Sequence, residues 1–367
     1  MKSTFGQSIT LTIAGESHGA ALTAIVAGLA PGLRVDEAFI AEQMDRRRAV
    51  GVISTARHEP DEVEILSGVF QGRTTGTPVT LLIRNRDMRS ADYAPLSTVP
   101  RPGHADYTAQ CKYHGFQDYR GGGHFSGRIT AAAVAAGALV LPALREKGIA
   151  VATHIARCAG IDDRTFAEDP AEDMAALGKR AFAVLDEAAG ERMQAAIKEA
   201  KAAGDSVGGV LETLVTGVPA GVGEPWFDSV ESVLSHLLFS IPGVKGVAFG
   251  DGFALADKRG SEANDPFGLK DGAVCLLSGH NGGINGGITN GSALRFCCAV
   301  KPTPSIARPQ QTVDLSAQTE QTLTVRGRHD PAIIHRARVV VDRLTALGLA
   351  DLLAQRFGTD WLSPAAT

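Results

Sequence analysis

The chain has 367 residues, 44% of them hydrophobic and 21% charged, and it carries a formal net charge of −4. This composition is typical of a globular protein with a substantial core and excludes a largely disordered chain. A weakly acidic chain does not attract polyanions through its overall field, so nucleic-acid binding is not expected and any anionic ligand must be held by a local basic cluster.

Hydrophobic periodicity and capping residues predict strands and helices that alternate irregularly. In chain order the patterns predict strands at residues 8–13 and 22–26, a helix from about Asp36, strands at 63–66 and 79–83, a helix after Ser126, a strand at 150–155, a helix over 187–203 that stops at Gly204, a strand at 210–215, a helix over 227–239, a strand at 293–300 and a helix over about 331–356. The lack of regular strand–helix alternation favours an α+β fold over a doubly wound sheet. No proline- or serine-rich linker divides the chain, so residues 1–367 are predicted to form a single domain.

The apolar run at residues 129–144 is the one candidate for a membrane span. It is bracketed by Arg128 and Arg145 and is shorter than the roughly 20 residues that a span needs at 1.5 Å per residue. Its alanines and Gly137 instead predict a helix packed closely inside the protein, and no contact with a membrane is expected.

Neither a signal peptide nor cysteine pairing is predicted. A single lysine near the start is followed by polar residues, and the apolar stretch at 9–14 soon reaches Glu16. Five cysteines, including the neighbours Cys297 and Cys298, form no C-x-x-C motif, which suits neither a disulfide framework nor a zinc site. We therefore expect reduced core thiols in a cytoplasmic protein that holds no metal.

Two short segments in the first 50 residues carry candidate functional groups. The motif G-E-S-H-G at residues 15–19 follows an apolar strand, and its glycines would let Ser17 and His18 project from a sharp turn. The alternative is an ordinary turn with one exposed histidine. An arginine run at residues 46–48 ends the first predicted helix, where cations complement the helix dipole, and a solvated helix end explains it equally well.

The most informative stretch reads R-P-G-H-A-D-Y and then D-Y-R-G-G-G-H-F-S-G-R, within residues 101–128. Three consecutive glycines before a helix let backbone N–H groups point at a bound anion, and Ser126, Arg120 and Arg128 can add a hydroxyl and charge. The pattern is neither a Walker motif nor a dinucleotide fingerprint, so nucleoside triphosphates and Rossmann dinucleotides are not favoured. A phosphate-binding turn is predicted here.

Glycine- and proline-rich turns with one or two cations recur late in the chain. They read S-I-P-G-V-K-G at 240–246, G-G-I-T-N-G at 286–291, K-P-T-P-S at 301–305 and R-G-R-H-D-P at 326–331. Such turns let backbone approach a flat or phosphorylated ligand closely, although each could be only a turn. Asp330 before Pro331 could equally cap the last helix.

In this order, the motifs G-E-S-H-G, R-P-G-H-A-D, Y-R-G-G-G, G-G-I-T-N-G, K-P-T-P-S and G-R-H-D-P closely resemble those of chorismate synthases. The resemblance implies a β-α-β sandwich with helices layered between antiparallel sheets, usually a homotetramer. It also implies a lyase that needs reduced FMN and removes phosphate from 5-enolpyruvylshikimate 3-phosphate by a 1,4-elimination, giving chorismate without net redox change.

The resemblance also implies roles for individual residues. By motif, His18 is similar to a histidine that protonates reduced flavin, His104 to the acid that serves the departing phosphate, and Asp330 to a group that moves a proton through flavin nitrogen 5. The implied substrate ligands are Ser17, Arg47, Arg101, Arg128 and Arg328. The implied flavin contacts are His124, Phe125, Ser126, Pro242, Gly243, Gly286, Lys301, Pro302, Thr303, Pro304, Ser305 and Arg328.

Two departures from the family pattern affect these implications. The loop after the arginine run lacks the second arginine that many members place about six residues beyond the first, and we hypothesise that Arg57 supplies the absent cation. The glycine-rich turn continues as H-F-S-G-R where many members have R-S-S-A-R, and flavin binding is expected to survive this change. Two other readings stay open: a non-catalytic flavin- or phosphoshikimate-binding paralogue, and a flavin-dependent oxidoreductase that consumes NADPH.

Overall fold

The structure is a computed structural model that describes residues 3–48, 51–54, 60–86, 96–325 and 330–364. Its strands are β1 (Thr4–Phe5), β2 (Thr10–Gly15), β3 (Ala21–Ala27), β4 (Val63–Ser67), β5 (Val69–Phe70), β6 (Arg73–Thr74), β7 (Val79–Arg84), β8 (Ala150–Cys158), β9 (Ile161–Asp162), β10 (Gly209–Thr216), β11 (Val244–Phe249), β12 (Phe267–Lys270), β13 (Ala273–Leu276), β14 (Ile284–Asn285), β15 (Ile288–Thr289), β16 (Leu294–Val300), β17 (Gln310–Asp314) and β18 (Thr319–Leu323). Its α-helices are α1 (Glu37–Arg47), α2 (Asp106–Tyr113), α3 (Thr130–Glu146), α4 (Ala171–Leu177), α5 (Glu187–Ala202), α6 (Val230–Ser240), α7 (Gly260–Ala263) and α8 (Ile334–Phe357).

Ten of the strands form two five-stranded antiparallel sheets. The first has the order β1-β2-β3-β7-β4 and the second the order β11-β16-β10-β8-β9. The remaining strands pair as hairpins: β5 with β6, β12 with β13, β14 with β15, and β17 with β18. Antiparallel strands with one face on a core show alternating burial, as β3 and β16 do.

Helices α3 and α8 fill the space between the two sheets. Helix α3 packs on β2, β3 and β7 of the first sheet, helix α8 packs on β8 and β10 of the second, and the two helices pack on each other. Most residues of both helices are buried. This arrangement confirms the predicted α+β sandwich with helices layered between antiparallel sheets.

The two central helices approach closely at Gly137. A Cβ atom added there would lie 2.3 Å from the backbone oxygen of Arg343 in α8. The helical segment Gly127–Glu146 has 20 residues, so the prediction that it is too short to span a membrane was wrong. Because 83% of its most apolar 18-residue stretch is buried inside the protein, the close packing predicted for this helix is confirmed.

Replacing Gly137 with alanine is expected to lower the free energy of unfolding by about 1–3 kcal/mol, since the new methyl group forces α3 away from α8. Denaturant unfolding followed by circular dichroism measures this change. Gly260→Ala is the matched control because nothing lies within 4 Å of an added Cβ there. A Gly137→Ala protein as stable as this control would contradict the close helix approach.

The two ends of the chain meet at a buried carboxylate. Asp351 of α8 is 1% exposed and accepts hydrogen bonds from the backbone N–H groups of Gln7 (3.2 Å), Ser8 (2.7 Å) and Ile9 (2.8 Å). These amides precede β2, and the N–H of the buried Ile9 would otherwise lack this partner, which is costly. The first sheet is therefore attached to the last helix.

All seven predicted strands are present with ends shifted by up to three residues, as β2, β3, β4, β7, β8, β10 and β16. Helices α1, α3, α5, α6 and α8 correspond to the five predicted helices, and Asp36 caps α1 by accepting from the backbone N–H of Phe39 at 2.9 Å. Helix α6 starts later than predicted because Ser229 is its N-cap. The cysteine prediction was partly wrong, since Cys158 and Cys298 are buried whereas Cys111 is exposed.

Candidate active site

A cleft of about 890 Å³ opens at one end of the helical layer. Its walls come from the end of α1, the segment between residues 101 and 130, the α6–β11 turn, the segment after β16 and the start of α8. Fifteen of the residues predicted for the site line it: Arg47, Arg101, His104, His124, Phe125, Ser126, Arg128, Pro242, Gly243, Lys301, Pro302, Thr303, Pro304, Ser305 and Asp330. The fold thus brings together motifs that lie up to almost 300 residues apart in sequence.

Two of the predicted substrate arginines share one buried carboxylate. Arg47 Nη2 lies 2.7 Å from Asp61 Oδ2, and Arg128 donates to the other oxygen of Asp61. All three side chains are almost completely buried, with side-chain exposures of 4%, 4% and 1%. Of the other arginines in the run, Arg46 pairs with Glu42 and Arg48 pairs with Asp45.

Arg47 and Asp61 remain ionised at neutral pH. Burial lowers the pKa of Arg47 to about 10, with Asp61 opposing that shift. Burial alone would raise the pKa of Asp61, but Arg47 and Arg128 outweigh it and hold this pKa below its usual value. Arg47 Nε and Arg128 Nη2 are buried and have no hydrogen-bond partner in the described part of the protein. The cluster therefore retains donors for an incoming anion.

A second ionic cluster holds the R-P-G-H-A-D loop. Asp106 accepts hydrogen bonds from Arg101 Nε and Nη2, both at 2.8 Å, and lies 2.7 Å from His104 Nδ1. Arg101 Nη1 also donates to Ser305 Oγ at 3.2 Å, and Lys301 donates to the backbone oxygen of Gly103. These contacts join the loop to the K-P-T-P-S segment across the cleft.

The glycine-rich turn lets two histidines approach its backbone. Gly121, Gly122 and Gly123 all have positive φ angles. A Cβ at Gly121 would lie 2.6 Å from His18 Cδ2, and one at Gly122 would lie 3.2 Å from His104 Nε2. Only glycine therefore suits these positions.

His18 and Ser17 lie behind this turn rather than on the cleft surface. They are 5% and 0% exposed, so the alternative of an exposed histidine in an ordinary turn was wrong. Asn85 Nδ2 donates to the backbone oxygens of Glu16 and Gly19, and Asn85 Oδ1 accepts from Arg128 Nε at 3.0 Å. The G-E-S-H-G turn is thereby connected to the arginine cluster.

Arg120 does not contribute to the anion site as predicted. It forms a two-pronged ion pair with Asp118 (2.8 Å for both Nε and Nη2) and is absent from the cleft lining. Ser126 Oγ accepts from the backbone N–H of Arg128 at 3.2 Å, which fixes the start of the helical segment.

Asp330 pairs with Arg336 on the cleft wall, and Arg336 Nε donates to the backbone oxygen of Arg47 at 3.0 Å. Helix α8 begins at Ile334 after the N-cap residue Ile333, which makes no side-chain cap. Asp330 is therefore not the N-cap of α8, and its carboxylate faces a ligand-sized space instead.

Besides Ser17, His18 and Arg120, one predicted residue lies away from the cleft lining, and two others are not among the described residues. Gly286 lies in the β14–β15 hairpin turn and does not line the cleft. Arg328 and Arg57 lie outside the described residues, so their roles remain predictions. The sequence motifs predict no role for Asp61, Asn85, Asp106 and Arg336. Asp106 is the last residue of the motif R-P-G-H-A-D, and the nearby His104 and Arg101 were the signal that could have identified it as their partner.

The sequence and the fold were compared with those of known proteins. The chain matches the chorismate synthase family over residues 9–354. It is 45% identical over 351 residues to chorismate synthase of Thermococcus kodakarensis, covering 96% of this chain and 97% of the relative. It is 46% identical over 351 residues to chorismate synthase of Archaeoglobus fulgidus, covering 95% of this chain and 96% of that relative. A crystal structure of chorismate synthase matches its fold with a TM-score of 0.76 and 28% identity, covering 96% and 94% of the two chains. The chain therefore belongs to the chorismate synthase family.

Proposed function

We propose that the protein converts 5-enolpyruvylshikimate 3-phosphate into chorismate by a 1,4-elimination of phosphate that requires reduced FMN. The observation that carries this proposal is the convergence of Arg47, Arg101 and Arg128 with His104 and Asp330 on one cleft. A substrate with a phosphate and carboxylates needs several guanidinium donors, and an elimination needs groups that handle protons.

The cleft residues also suit a flavin mononucleotide. A volume of about 890 Å³ lies near the upper end of the usual range for ligand sites. Ile129, Leu237 and Val340 supply apolar wall for a ring system, and Lys301 supplies charge for a phosphate. Thr303 Oγ1 is buried without a hydrogen-bond partner in the described residues, which leaves a polar group available to a ligand.

The protein's own groups are proposed to bind anions and to move protons. Arg47 and Arg128 bind substrate anions, and His104 donates a proton to the phosphate oxygen as the carbon–oxygen bond breaks, where charge develops in the transition state. Asp330 handles the proton that leaves carbon 6, and His18 holds a proton beneath the glycine-rich turn. The chemistry expected of bound reduced FMN is transient electron donation to the substrate.

Activity is expected to require reduced FMN without consuming a stoichiometric reductant, because the elimination is redox neutral. The test is an anaerobic assay with purified protein, photoreduced FMN and the substrate, which follows chorismate absorbance and phosphate release. Many turnovers after a single reduction are expected. Tight substrate binding without product would favour a non-catalytic paralogue, and steady NADPH consumption without chorismate would favour an oxidoreductase. Turnover with oxidised FMN and no reductant would overturn the mechanism.

We also propose a homotetramer in the cytoplasm, as the family resemblance implies. Large apolar side chains that are 68–77% exposed on and beside the β12–β13 hairpin, namely Phe267, Leu269, Val274 and Leu277, support association through this face.

A further inference from the structure

We propose that Asp106 is a positioning residue that keeps a proton on Nδ1 of His104 and thereby makes Nε2 the atom that exchanges a proton with the departing phosphate. The proposal rests on the proposed function, because it names the atom and the supporting group for a step assigned there to His104. The sequence motifs predict no role for the Asp106 carboxylate.

Asp106 is held in one orientation by four contacts. Its Oδ2 accepts from Arg101 Nε at 2.8 Å and from the backbone N–H of Arg101 at 3.0 Å. Its Oδ1 accepts from Arg101 Nη2 at 2.8 Å and lies 2.7 Å from His104 Nδ1. The Asp106 side chain is only 8% exposed, so water does not compete strongly for these oxygens. The carboxylate therefore presents a fixed acceptor to the imidazole.

The distances decide which nitrogen of His104 carries the proton. Nδ1 also lies 3.1 Å from Arg101 Nη2, so a bare Nδ1 could in principle accept from the guanidinium. In that form its lone pair would face the carboxylate oxygen at 2.7 Å, which places two acceptors against each other. Arg101 Nη2 already has a closer partner in Asp106 Oδ1. A proton on Nδ1 removes the conflict and gives a short, charge-assisted hydrogen bond.

The proton in this hydrogen bond belongs to the imidazole. Burial would raise the pKa of Asp106, but hydrogen bonds from Arg101 and His104 hold this pKa well below its usual range. A carboxylate that stays ionised is an acceptor only, so the proton between the two groups stays on Nδ1. Asp106 does not itself line the cleft, but it contacts His104 and Arg101, which do, and it therefore acts through these two residues.

The other edge of the imidazole is left open toward the ligand side. A Cβ at Gly122 would lie 3.2 Å from both Cε1 and Nε2, so the glycine-rich turn clears this edge only because it lacks side chains. The His104 side chain is 15% exposed and lines the cleft. With Nδ1 occupied by Asp106, Nε2 is the nitrogen that can donate to a ligand.

The direct test is nuclear magnetic resonance of protein labelled with ¹⁵N-histidine, without substrate. His104 signals are assigned by their loss in His104→Gln. Wild-type protein is expected to show a protonated Nδ1 throughout the titration, with Nε2 as the nitrogen that gains and loses a proton. A neutral His104 protonated on Nε2 in wild-type protein would overturn the proposal. This measurement does not depend on turnover, so it is separate from a failure of the proposed function.

Kinetics provide the second test. Asp106→Asn is expected to lower kcat by ~10²-fold, and Asp106→Glu should recover part of this loss. In a His104→Gln background, Asp106→Asn should change kcat less than about threefold, because residues that act through one group are not additive. If Asp106→Asn also raises KM because it disturbs Arg101, that rise in KM should persist in the His104→Gln background. If the double variant loses kcat by the product of the two single-variant losses, Asp106 acts independently of His104. Lys112→Gln, an exposed charge change on the same helix, should leave kcat unchanged.

Discussion

Replacing Asp61 with asparagine is expected to lower the free energy of unfolding by roughly 3–5 kcal/mol, the usual cost of leaving a buried charge without its partner. The carboxylate is the shared counter-ion of Arg47 and Arg128, and the two guanidinium groups are nearly inaccessible to water. Asparagine keeps the size of the side chain and tolerates the positive φ of 51° at this position, so the change reports on charge rather than on backbone strain. Chemical denaturation measures the effect.

Added inorganic phosphate is expected to restore part of this lost stability, because an anion that binds only the folded arginine cluster shifts the unfolding equilibrium. The adjacent Glu62 provides a matched control. It pairs with Arg86 at 2.8 Å, and both side chains are more than half exposed. Glu62→Gln should therefore change stability by less than about 1 kcal/mol. Equal stability of the Asp61→Asn and Glu62→Gln proteins would show that the two arginines do not depend on Asp61.

The second large effect is expected on the outer face of the second sheet. His154 of β8 is fully buried between Asp163, at 2.8 Å from Nδ1, and Glu212 of β10, at 2.8 Å from Nε2. Asp163 also accepts from the backbone N–H groups of Leu185 (2.6 Å) and Asp186 (2.8 Å), which attaches the segment before α5 to the sheet. Asp163→Asn removes the charge opposite His154 and is expected to cost roughly 3–5 kcal/mol of unfolding free energy.

This stability difference should depend on pH in a defined direction. Burial disfavours the charged form of His154, but the hydrogen bonds that it donates to the carboxylates of Asp163 and Glu212 outweigh burial and raise the pKa of His154. That contribution is complete below the unfolded value of about 6.5 and is lost as pH rises through the folded value. Burial also opposes ionisation of Asp163, but its hydrogen bonds lower its pKa, so its contribution is lost as pH falls below about 3.9. The difference should be largest between about pH 4 and 6.5.

Unfolding of wild-type and Asp163→Asn protein at several pH values measures this profile. Asp162→Asn is the control, because Asp162 is the neighbouring residue and its ion pair with Arg157 at 3.3 Å is exposed. A difference that stays constant from pH 5 to pH 9 would mean that His154 is not charged in the folded protein.

The elements that the sequence predicted correctly share one property: their signal is local. Strands such as β3 alternate apolar and polar residues, and α1 starts at a capping aspartate. Those periodicities follow directly from the backbone geometry of helices and strands. The two-residue strands β5, β6, β14 and β15 are too short to show a period, and the polar hairpin β17–β18 buries little apolar surface. These elements were therefore not predicted.

The sequence motifs predict many residues of the candidate site but not the ion pairs that these residues form. Motif order identified Arg47 and Arg128, yet nothing local indicates that Asp61, 14 residues after one and 67 before the other, bridges them. The prediction for Arg120 failed for the opposite reason. Asp118, two residues away, satisfies its guanidinium and keeps it from the cleft. Ion pairs depend on distances that only the fold sets.

The contact between Asp351 and the amides of Gln7, Ser8 and Ile9 has a consequence for biosynthesis. The residues that precede β2 leave the ribosome long before the helix that satisfies their N–H groups has been made. At ~5–20 residues per second, this delay lasts tens of seconds. Throughout it, the amides before β2 and the side of α3 that packs on α8 lack their partner, and a nascent chain in this state is a substrate for chaperones. A chain truncated before α8 should therefore accumulate in aggregates rather than as a folded amino-terminal half.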